Sequence, residues 1–137
     1  MKSNPHLVLR RTLQANAVFS GVSGAVALAA AGPIAGFMGL PSGQDLYPTA
    51  ILLLVFSGWL LWMASRPEIP RGQAIAVAFF DWLWVIGSLP LVLGAGPQLT
   101  SGGKWLLALL ALAVADFAAI QTWAIVRSTR PRPAPGI

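Results

Sequence analysis

The sequence of 137 residues contains no cysteine and only one histidine. Without cysteine the chain can form no disulfide, no thiolate metal site and no thiol redox centre. The single histidine, His6, lies outside the apolar runs. This excludes a haem held by two histidines inside a membrane and a histidine-based nucleophilic triad there. We therefore expect no cofactor and no metal ion.

Charged side chains are also scarce, at 9% of the residues, whereas hydrophobic residues make up 56%. A soluble domain carries about a quarter charged residues. Polar side chains therefore cannot cover a globule of this size, and the chain needs a lipid bilayer around it. The net charge of +5 is spread over both chain ends and one loop. Because a nucleic-acid-binding protein needs a continuous basic face, we expect no nucleic acid partner.

The apolar residues are grouped into four runs, each long enough to cross a hydrocarbon core of about 30 Å as a helix. The predicted fold class is all-α, an integral membrane four-helix up-down bundle. A cytoplasmic N-terminal segment, 1–12, is expected before the bundle, and a disordered basic cytoplasmic tail, 127–137, after it. The predicted helices cover residues 13–39, 48–65, 73–94 and 104–126.

The distribution of basic residues predicts the orientation of the bundle. Eight of the nine Lys and Arg residues lie in the N-terminal segment, the middle loop or the tail, and the ninth is Lys104. By the positive-inside rule, both termini lie in the cytoplasm of a multi-pass protein of the bacterial inner membrane. The first run also resembles a signal peptide, with basic residues before it and Ala29–Ala31 after it. Cleavage would leave three helices and an external N-terminus, so we expect the run to stay attached.

Small residues are concentrated in the first predicted helix. Ser20 and Gly24 form one small-xxx-small pair, and Gly21 and Ala25 form another on the adjacent stripe. Such stripes let the backbone of a second helix approach closely. We therefore predict a helix-packing face here, through which the chain associates into a homo-oligomer or a larger membrane complex.

Polar side chains interrupt the apolar runs at similar depths. At about 1.5 Å per residue, Asp81 lies roughly 13 Å and Asp116 roughly 15 Å from the cytoplasmic ends of their helices. An acid at this depth costs about 2.5–3.5 kcal/mol, so each should face inward and find a partner. We expect the two carboxyl groups to lie at one level in the bundle. The candidate polar and ion-responsive residues are Asp81, Asp116, Ser57, Asn16, Ser20 and Gln121.

Three interpretations of this polar belt follow from its chemistry. Acids in a low-dielectric interior can stay protonated and cross-link the helices by hydrogen bonds. They can instead form a proton or cation site, as in transporters, since no Lys or Arg lies at this depth. They can also form the carboxyl pair of an intramembrane aspartyl protease. The Tyr-Asp and Gly-x-Gly-Asp motifs of that family are absent, because Asp81 follows Phe80 and Asp116 follows Ala115.

A shift of 64 residues aligns parts of the two halves of the chain. Two explanations stay open. One is duplication of a helical hairpin; the other is that two hairpins carry similar residues at their ends because membrane helices need residues that terminate them. The aligned residues are Gly32-Pro33 with Gly96-Pro97, Trp59 with Trp123, and Arg66-Pro67 with Arg130-Pro131.

The stretch Asp81-x-x-Trp84-Val85-x-Gly87-Ser88, within this four-helix outline, resembles small uncharacterised bacterial inner-membrane proteins of DoxX-like type. The resemblance implies the topology of the whole chain but no catalytic residue. Small multidrug exporters are similar in size, but they carry a glutamate in their first helix, where this chain has Asn16. The motif of small fluoride channels is absent.

Together these features predict a small non-enzymatic integral membrane protein. The leading hypothesis is a structural or accessory subunit that associates through the small-residue helix faces. The alternative is a homo-oligomeric, proton-coupled transporter or channel for a small molecule or ion, with Asp81 and Asp116 as its responsive groups.

Overall fold

The computed structural model describes residues 4–128 and 136, and within those residues all regular secondary structure is helical. Helix α1 is followed by a short helix, α2, and a 3-10 turn leads into α3. Helices α4 and α5 complete the chain. The bounds are Pro5–Ala29 for α1, Ala31–Met38 for α2, Gly43–Leu46 for the turn, Tyr47–Ala64 for α3, Arg71–Val92 for α4 and Ser101–Ser128 for α5.

Within the described part of the chain, four helical segments are long and apolar enough to span a membrane: α1, α3 together with its preceding turn, α4 and α5. They contain 25, 22, 22 and 28 residues, and about 20 suffice for a bilayer. The prediction of an all-helical chain with four helices suited to a multi-pass membrane protein is therefore confirmed for the described residues. The bounds of α3, α4 and α5 lie within three residues of those predicted from the sequence.

Helix α1 begins at Pro5, inside the segment predicted to precede the bundle. Asn4 caps the helix, because its side-chain oxygen accepts a hydrogen bond from the backbone N–H of His6 at 3.0 Å. Proline suits the first turn, where its missing N–H is not needed. At the other end of the chain, α5 extends to Ser128. The rest of the predicted tail, residues 129–135 and 137, lies outside the described residues.

Residues 13–39, predicted as one helix, are divided between α1 and α2, and the break is explained by Pro33. A proline ring clashes with the carbonyl group four residues earlier, which here belongs to Ala29, the last residue of α1. Ala30 leaves the helical conformation, with φ −115° and ψ 32°. The chain then resumes as α2, which is pinned to the start of α5 by a 2.9 Å hydrogen bond from the Thr100 N–H to the Met38 carbonyl.

Helices α1 and α5 form the centre of the bundle. Helix α1 packs along both α3 and α5, and α4 packs along α5. Helices α3 and α4, in contrast, are not packed along their length. Three of the four neighbouring helix pairs are therefore closed, and the fourth is open.

The apolar core lies at one end of the bundle, where α1 and α4 begin and α3 and α5 end; we call this the closed end. There all four long helices contribute buried side chains to one cluster. From the closed end, α3 and α4 separate toward the opposite, open end. The core side chains with the least exposure are Leu13, Ala17, Leu60, Met63, Val77 and Ala124.

Arg10 fastens α1 to the end of α3. Its guanidinium group donates hydrogen bonds to the carbonyl of Ala64, to that of Arg66 at 2.7 Å and to that of Pro67 at 3.1 Å. The last carbonyls of a helix have no partner within the helix and carry partial negative charge. Arg10 thus caps α3, and it also contributes to the excess of basic residues at this end of the bundle.

Candidate functional site

The site is built around Asp81, midway along α4, whose side chain is 4% exposed. Its Oδ2 atom accepts two hydrogen bonds, from Asn16 Nδ2 at 2.8 Å and from Gln121 Nε2 at 3.1 Å. Ser20 Oγ donates in turn to Asn16 Oδ1 at 3.1 Å. These four residues, the Asp81 cluster, join α1, α4 and α5 in the interior of the bundle.

The Asp81 cluster has unused acceptors. Gln121 is fully buried, and its Oε1 atom has no hydrogen-bond partner among the described residues. The Oδ1 atom of Asp81 likewise accepts no hydrogen bond within the described part of the chain, and no basic side chain there forms an ion pair with it. An unsatisfied buried acceptor costs about 1–3 kcal/mol. The cluster can therefore accept a hydrogen-bond donor or a positive charge.

A groove of about 660 Å³ extends from Asp81 between α3 and α4 toward the open end. Helices α1 and α5 form its floor, and among the described residues Asp81 is the only charged one in its lining. Its rim faces outward, since Leu52 is 65% and Val55 66% exposed. The groove therefore connects a buried carboxyl group with the outer surface of the bundle. Its aromatic lining residues are Phe19, Phe56, Trp59, Phe80 and Trp84.

Contacts of Trp59 bound the inner end of the groove. Its Nε1 atom donates to Gln73 Oε1 at 3.0 Å, and its ring meets that of Phe80 edge-on at 6.4 Å. These contacts tie α3 to α4 next to the closed end. Farther along, the two helices separate and the groove opens.

Asp116 is not part of the Asp81 cluster. Its side chain is exposed on the outer face of α5 and makes no hydrogen bond or ion pair within the described residues. Gln121 is the residue of α5 that faces Asp81, and five residues correspond to about 140° around a helix. The expectation that both carboxyl groups face inward is therefore wrong for Asp116. That expectation used the depth of each residue along its helix and not its direction around the helix.

Ser57 is buried at the α1–α3 contact rather than beside Asp81. Its Oγ atom donates to the carbonyl of Ala17 at 2.6 Å. The hydroxyl group is thus used to join two helices within the chain. Of the six candidate polar residues, the structure brings together four: Asp81, Asn16, Gln121 and Ser20.

The predicted helix-packing residues of α1 are mostly used inside the chain. A Cβ atom on Gly24 would lie 2.9 Å from the carbonyl oxygen of Ala50, and one on Gly21 would lie 2.8 Å from Ser57 Oγ. Ser20 is buried in the Asp81 cluster. Only Ala25 is exposed. The stripe therefore packs α1 against α3 and is not a free surface for another chain.

Gln121 lies five residues nearer the end of α5 than Asp116, yet it binds Asp81 directly. The 64-residue shift contains a signal for this pairing, because it places Ala17 on Asp81 and Ser57 on Gln121. Ser57 donates a hydrogen bond to Ala17, and Gln121 donates one to Asp81; in each case the two residues are 40 apart. The hydrogen bond of the first hairpin thus has a counterpart at the equivalent position of the second.

Within the described residues, no second carboxyl or imidazole group lies beside Asp81. His6 is exposed in the first turn of α1, near the closed end, and Asp116 is turned away, so neither forms a pair with Asp81. No three acidic or imidazole side chains converge within the described residues. Comparison of the chain with protein-family models, curated proteins and solved structures gave no match. Its function is therefore inferred from the geometry of the groove and the Asp81 cluster.

Proposed function

We propose that this chain is a small non-enzymatic membrane transporter in which Asp81 binds a proton and a small molecule in turn. One observation carries this proposal: the groove links a buried carboxyl group to the outer surface of the bundle. Ionisable groups at this depth are costly, and in transporters they commonly bind the substrate or the coupling proton. In this proposal Asp81 alone is the ion-responsive group, a role that the sequence predicts for Asp81 and Asp116 together.

The distribution of charge supports an orientation for the bundle. Arg10, Arg66, Arg71 and Arg127 lie at the closed end, whereas Lys104 lies at the open end. By the positive-inside rule, the closed end faces the cytoplasm and the groove opens toward the outer leaflet. The proposal therefore includes an up-down bundle in the bacterial inner membrane, with both termini inside. The DoxX-like outline stays a prediction.

The two hairpins, α1–α3 and α4–α5, are also proposed to be repeats of one unit. The equivalent hydrogen bonds Ser57–Ala17 and Gln121–Asp81 support this relation. By the same shift, the α1–α5 contact corresponds to a contact between α4 and α3. That second contact is the open one. The groove therefore lies where the repeat leaves one helix interface unfilled.

A second candidate function, an accessory subunit, is favoured by Asp116. Its carboxyl group lies on the outer face of α5, where lipid contact would cost about 2.5–3.5 kcal/mol. A second membrane-spanning chain over this face would remove that contact. The chain would then act within a homo-oligomer or a larger membrane complex, and the Asp81 cluster would serve to cross-link its helices.

Proton movement in proteoliposomes tests the transporter. The vesicles enclose a pH-sensitive dye, and a proton gradient is applied with either phenyltrimethylammonium or benzenesulfonate outside, so that a cation and an anion are compared. We expect one of these probes to cause protein-dependent proton movement. Asp81→Asn should abolish it, because the amide cannot exchange a proton, whereas Asp81→Glu should retain part of it.

Asp116→Asn is the matched control, since it removes an acid at similar depth outside the groove. It should leave proton movement unchanged. Equal activity of the wild type and Asp81→Asn would contradict the transporter and support a purely structural role for Asp81. Loss of activity in both variants would show that the groove is not the pathway.

A further inference from the structure

We propose that the groove binds an apolar organic cation, with its positive group beside Asp81 and its apolar body among the aromatic side chains between α3 and α4. This inference rests on the proposed function, because it assigns a substrate class to the same site. Three features of the groove determine that class: the charge at its inner end, the type of hydrogen-bonding atom that is unused, and its aromatic lining.

The charge at the inner end of the groove is negative and has no counter-ion. Both partners of Asp81, Asn16 and Gln121, are uncharged amides, and both donate to the same carboxyl oxygen. The parts of α1, α3 and α5 that line the groove contribute no titratable side chain. Asp116 is exposed on another face of α5. When Asp81 is ionised, only a bound cation can balance its charge within the groove.

The unused polar atoms of the cluster are both acceptors. They are Asp81 Oδ1, whose residue lines the groove, and Gln121 Oε1, which is fully buried and belongs to a residue outside the groove lining. The amide donors of Asn16 and Gln121 are already directed at Asp81. A cation beside Asp81 complements the unused oxygen of its carboxyl group, whereas an anion would meet that carboxyl group and no positive side chain among the described residues that line the groove.

The aromatic lining is suited to a cation with an apolar body. Phe56, Trp59 and Phe80 form a chain of edge-on contacts, with ring centroids 6.0 and 6.4 Å apart. Aromatic faces attract cations within about 6 Å of the ring centre. The volume of about 660 Å³ lies within the range of about 300–1,000 Å³ that is common for small-molecule sites.

Equilibrium binding to the full chain in lipid nanodiscs tests the inference. The probe is trimethyl(phenethyl)ammonium, and its comparison compound is the neutral isostere in which carbon replaces nitrogen. Empty nanodiscs give the partition of each compound into lipid. We expect saturable binding of the cation and at least about tenfold weaker binding of the isostere, which corresponds to 1.4 kcal/mol.

Three substitutions locate the site. Asp81→Asn should weaken cation binding at least about tenfold, Trp84→Leu should weaken it several-fold, and Asp116→Asn should leave it unchanged. If Asp81→Asn fails to fold, the wild type is tested at decreasing pH, where protonation of Asp81 should weaken binding of the cation but not of the isostere. Equal binding of the two compounds, or binding by the wild type that does not change with pH, would overturn the inference.

The binding and flux results separate the two proposals. Binding of the cation without proton movement would refute transport and support the assignment of the ligand. Proton movement driven by the anion, without binding of the cation, would refute the ligand class and support transport. Failure of both measurements would reject both.

Discussion

Asp81 is held through one of its two carboxyl oxygens, and this asymmetry gives the site its character. Two amides from α1 and α5 converge on Oδ2, while Oδ1 accepts no hydrogen bond within the described residues. The amides fix the position of the side chain without neutralising it. A structural role and a binding role are therefore both built into one residue, and they involve different atoms.

The structural role can be measured as a coupling energy between Asn16 and Asp81. Hydrogen bonds between membrane helices average about 0.6 kcal/mol and reach about 1.7 kcal/mol. Because this bond is buried and 2.8 Å long, we expect a coupling in the upper half of that range. The measurement is a double-mutant cycle of Asn16→Ala and Asp81→Ala, followed by reversible unfolding in mixed detergent.

The control cycle combines Asn16→Ala with Asp116→Ala. Asp116 makes no contact with the cluster, so these two substitutions should be additive within about 0.3–0.5 kcal/mol. A coupling of similar size in both cycles would mean that Asn16 acts on the bundle as a whole and not through its hydrogen bond to Asp81.

The central residue and the polar residues that bind it were among the candidates taken from the sequence, but the sequence did not separate them from Asp116 and Ser57, which lie elsewhere. A carboxyl group in the middle of an apolar run must face inward, and Asp81 does. The same argument applied to Asp116 predicted an inward position, yet that residue is exposed. Depth follows from counting residues along a helix. Direction around the helix depends on which neighbours are present, and the counting contains no information about them.

Among the helices, α1 determines the packing of the bundle, because it contacts both α3 and α5. Its close approach to α3 depends on Gly24. We expect Gly24→Ala to reduce the free energy of unfolding by about 1–3 kcal/mol, since the new methyl group would lie 2.9 Å from the backbone oxygen of Ala50 and force the helices apart. Unfolding in mixed detergent measures the change.

Gly58→Ala is the matched control for that substitution. Gly58 lies within α3, and a Cβ atom there would meet nothing within 4 Å. Alanine is favoured over glycine in a helix by up to about 1 kcal/mol, so this variant should be as stable as the wild type or more stable. If both alanine variants changed stability by the same amount, helix propensity rather than the α1–α3 contact would govern the effect.

The bounds of α3, α4 and α5 were predictable from hydropathy and proline, but the end of α1 was not, because residues 13–39 were predicted as one helix. Pro33 lies four residues after the last residue of α1, and Pro48 lies in the first turn of α3. Helix α1 starts earlier than predicted, because the basic residues before the first apolar run favoured a separate segment over residues 1–12. Asn4 and Pro5 are themselves a signal for a helix start, since one supplies a capping oxygen and the other a preset φ angle.

At the scale of the whole molecule, one unfilled helix interface creates the groove. Hydropathy predicted four membrane-spanning segments, but it assigns no neighbours to them. The cluster at the closed end holds all four long helices together. The Asp81 cluster lies next to this core, at the inner end of the groove. The packing at the closed end thus positions the carboxyl group of Asp81, and the separation of α3 and α4 connects it with the surface.

The outer face of α5 leads to a prediction about association. Asp116 lies beside exposed apolar residues, including Leu112 and Ile120. If a second copy covers this face, two carboxyl groups can share hydrogen bonds away from lipid. Asp116→Leu would then remove the carboxyl group whose shared hydrogen bonds favour association, and it would make the face compatible with lipid. We expect it to weaken self-association, measured by energy transfer between labelled chains in vesicles at several protein-to-lipid ratios.

Asp116→Asn and Asp81→Asn complete this test, because they separate hydrogen bonding from charge and the α5 face from the groove. The amide at position 116 can still bond across the interface, so this variant should associate more strongly than Asp116→Leu. Asp81 is buried within the bundle, so Asp81→Asn should associate like the wild type. Unchanged energy transfer in Asp116→Leu would mean that a second copy does not cover this face, and the accessory role would then require a different membrane-spanning partner with a group that complements the carboxyl.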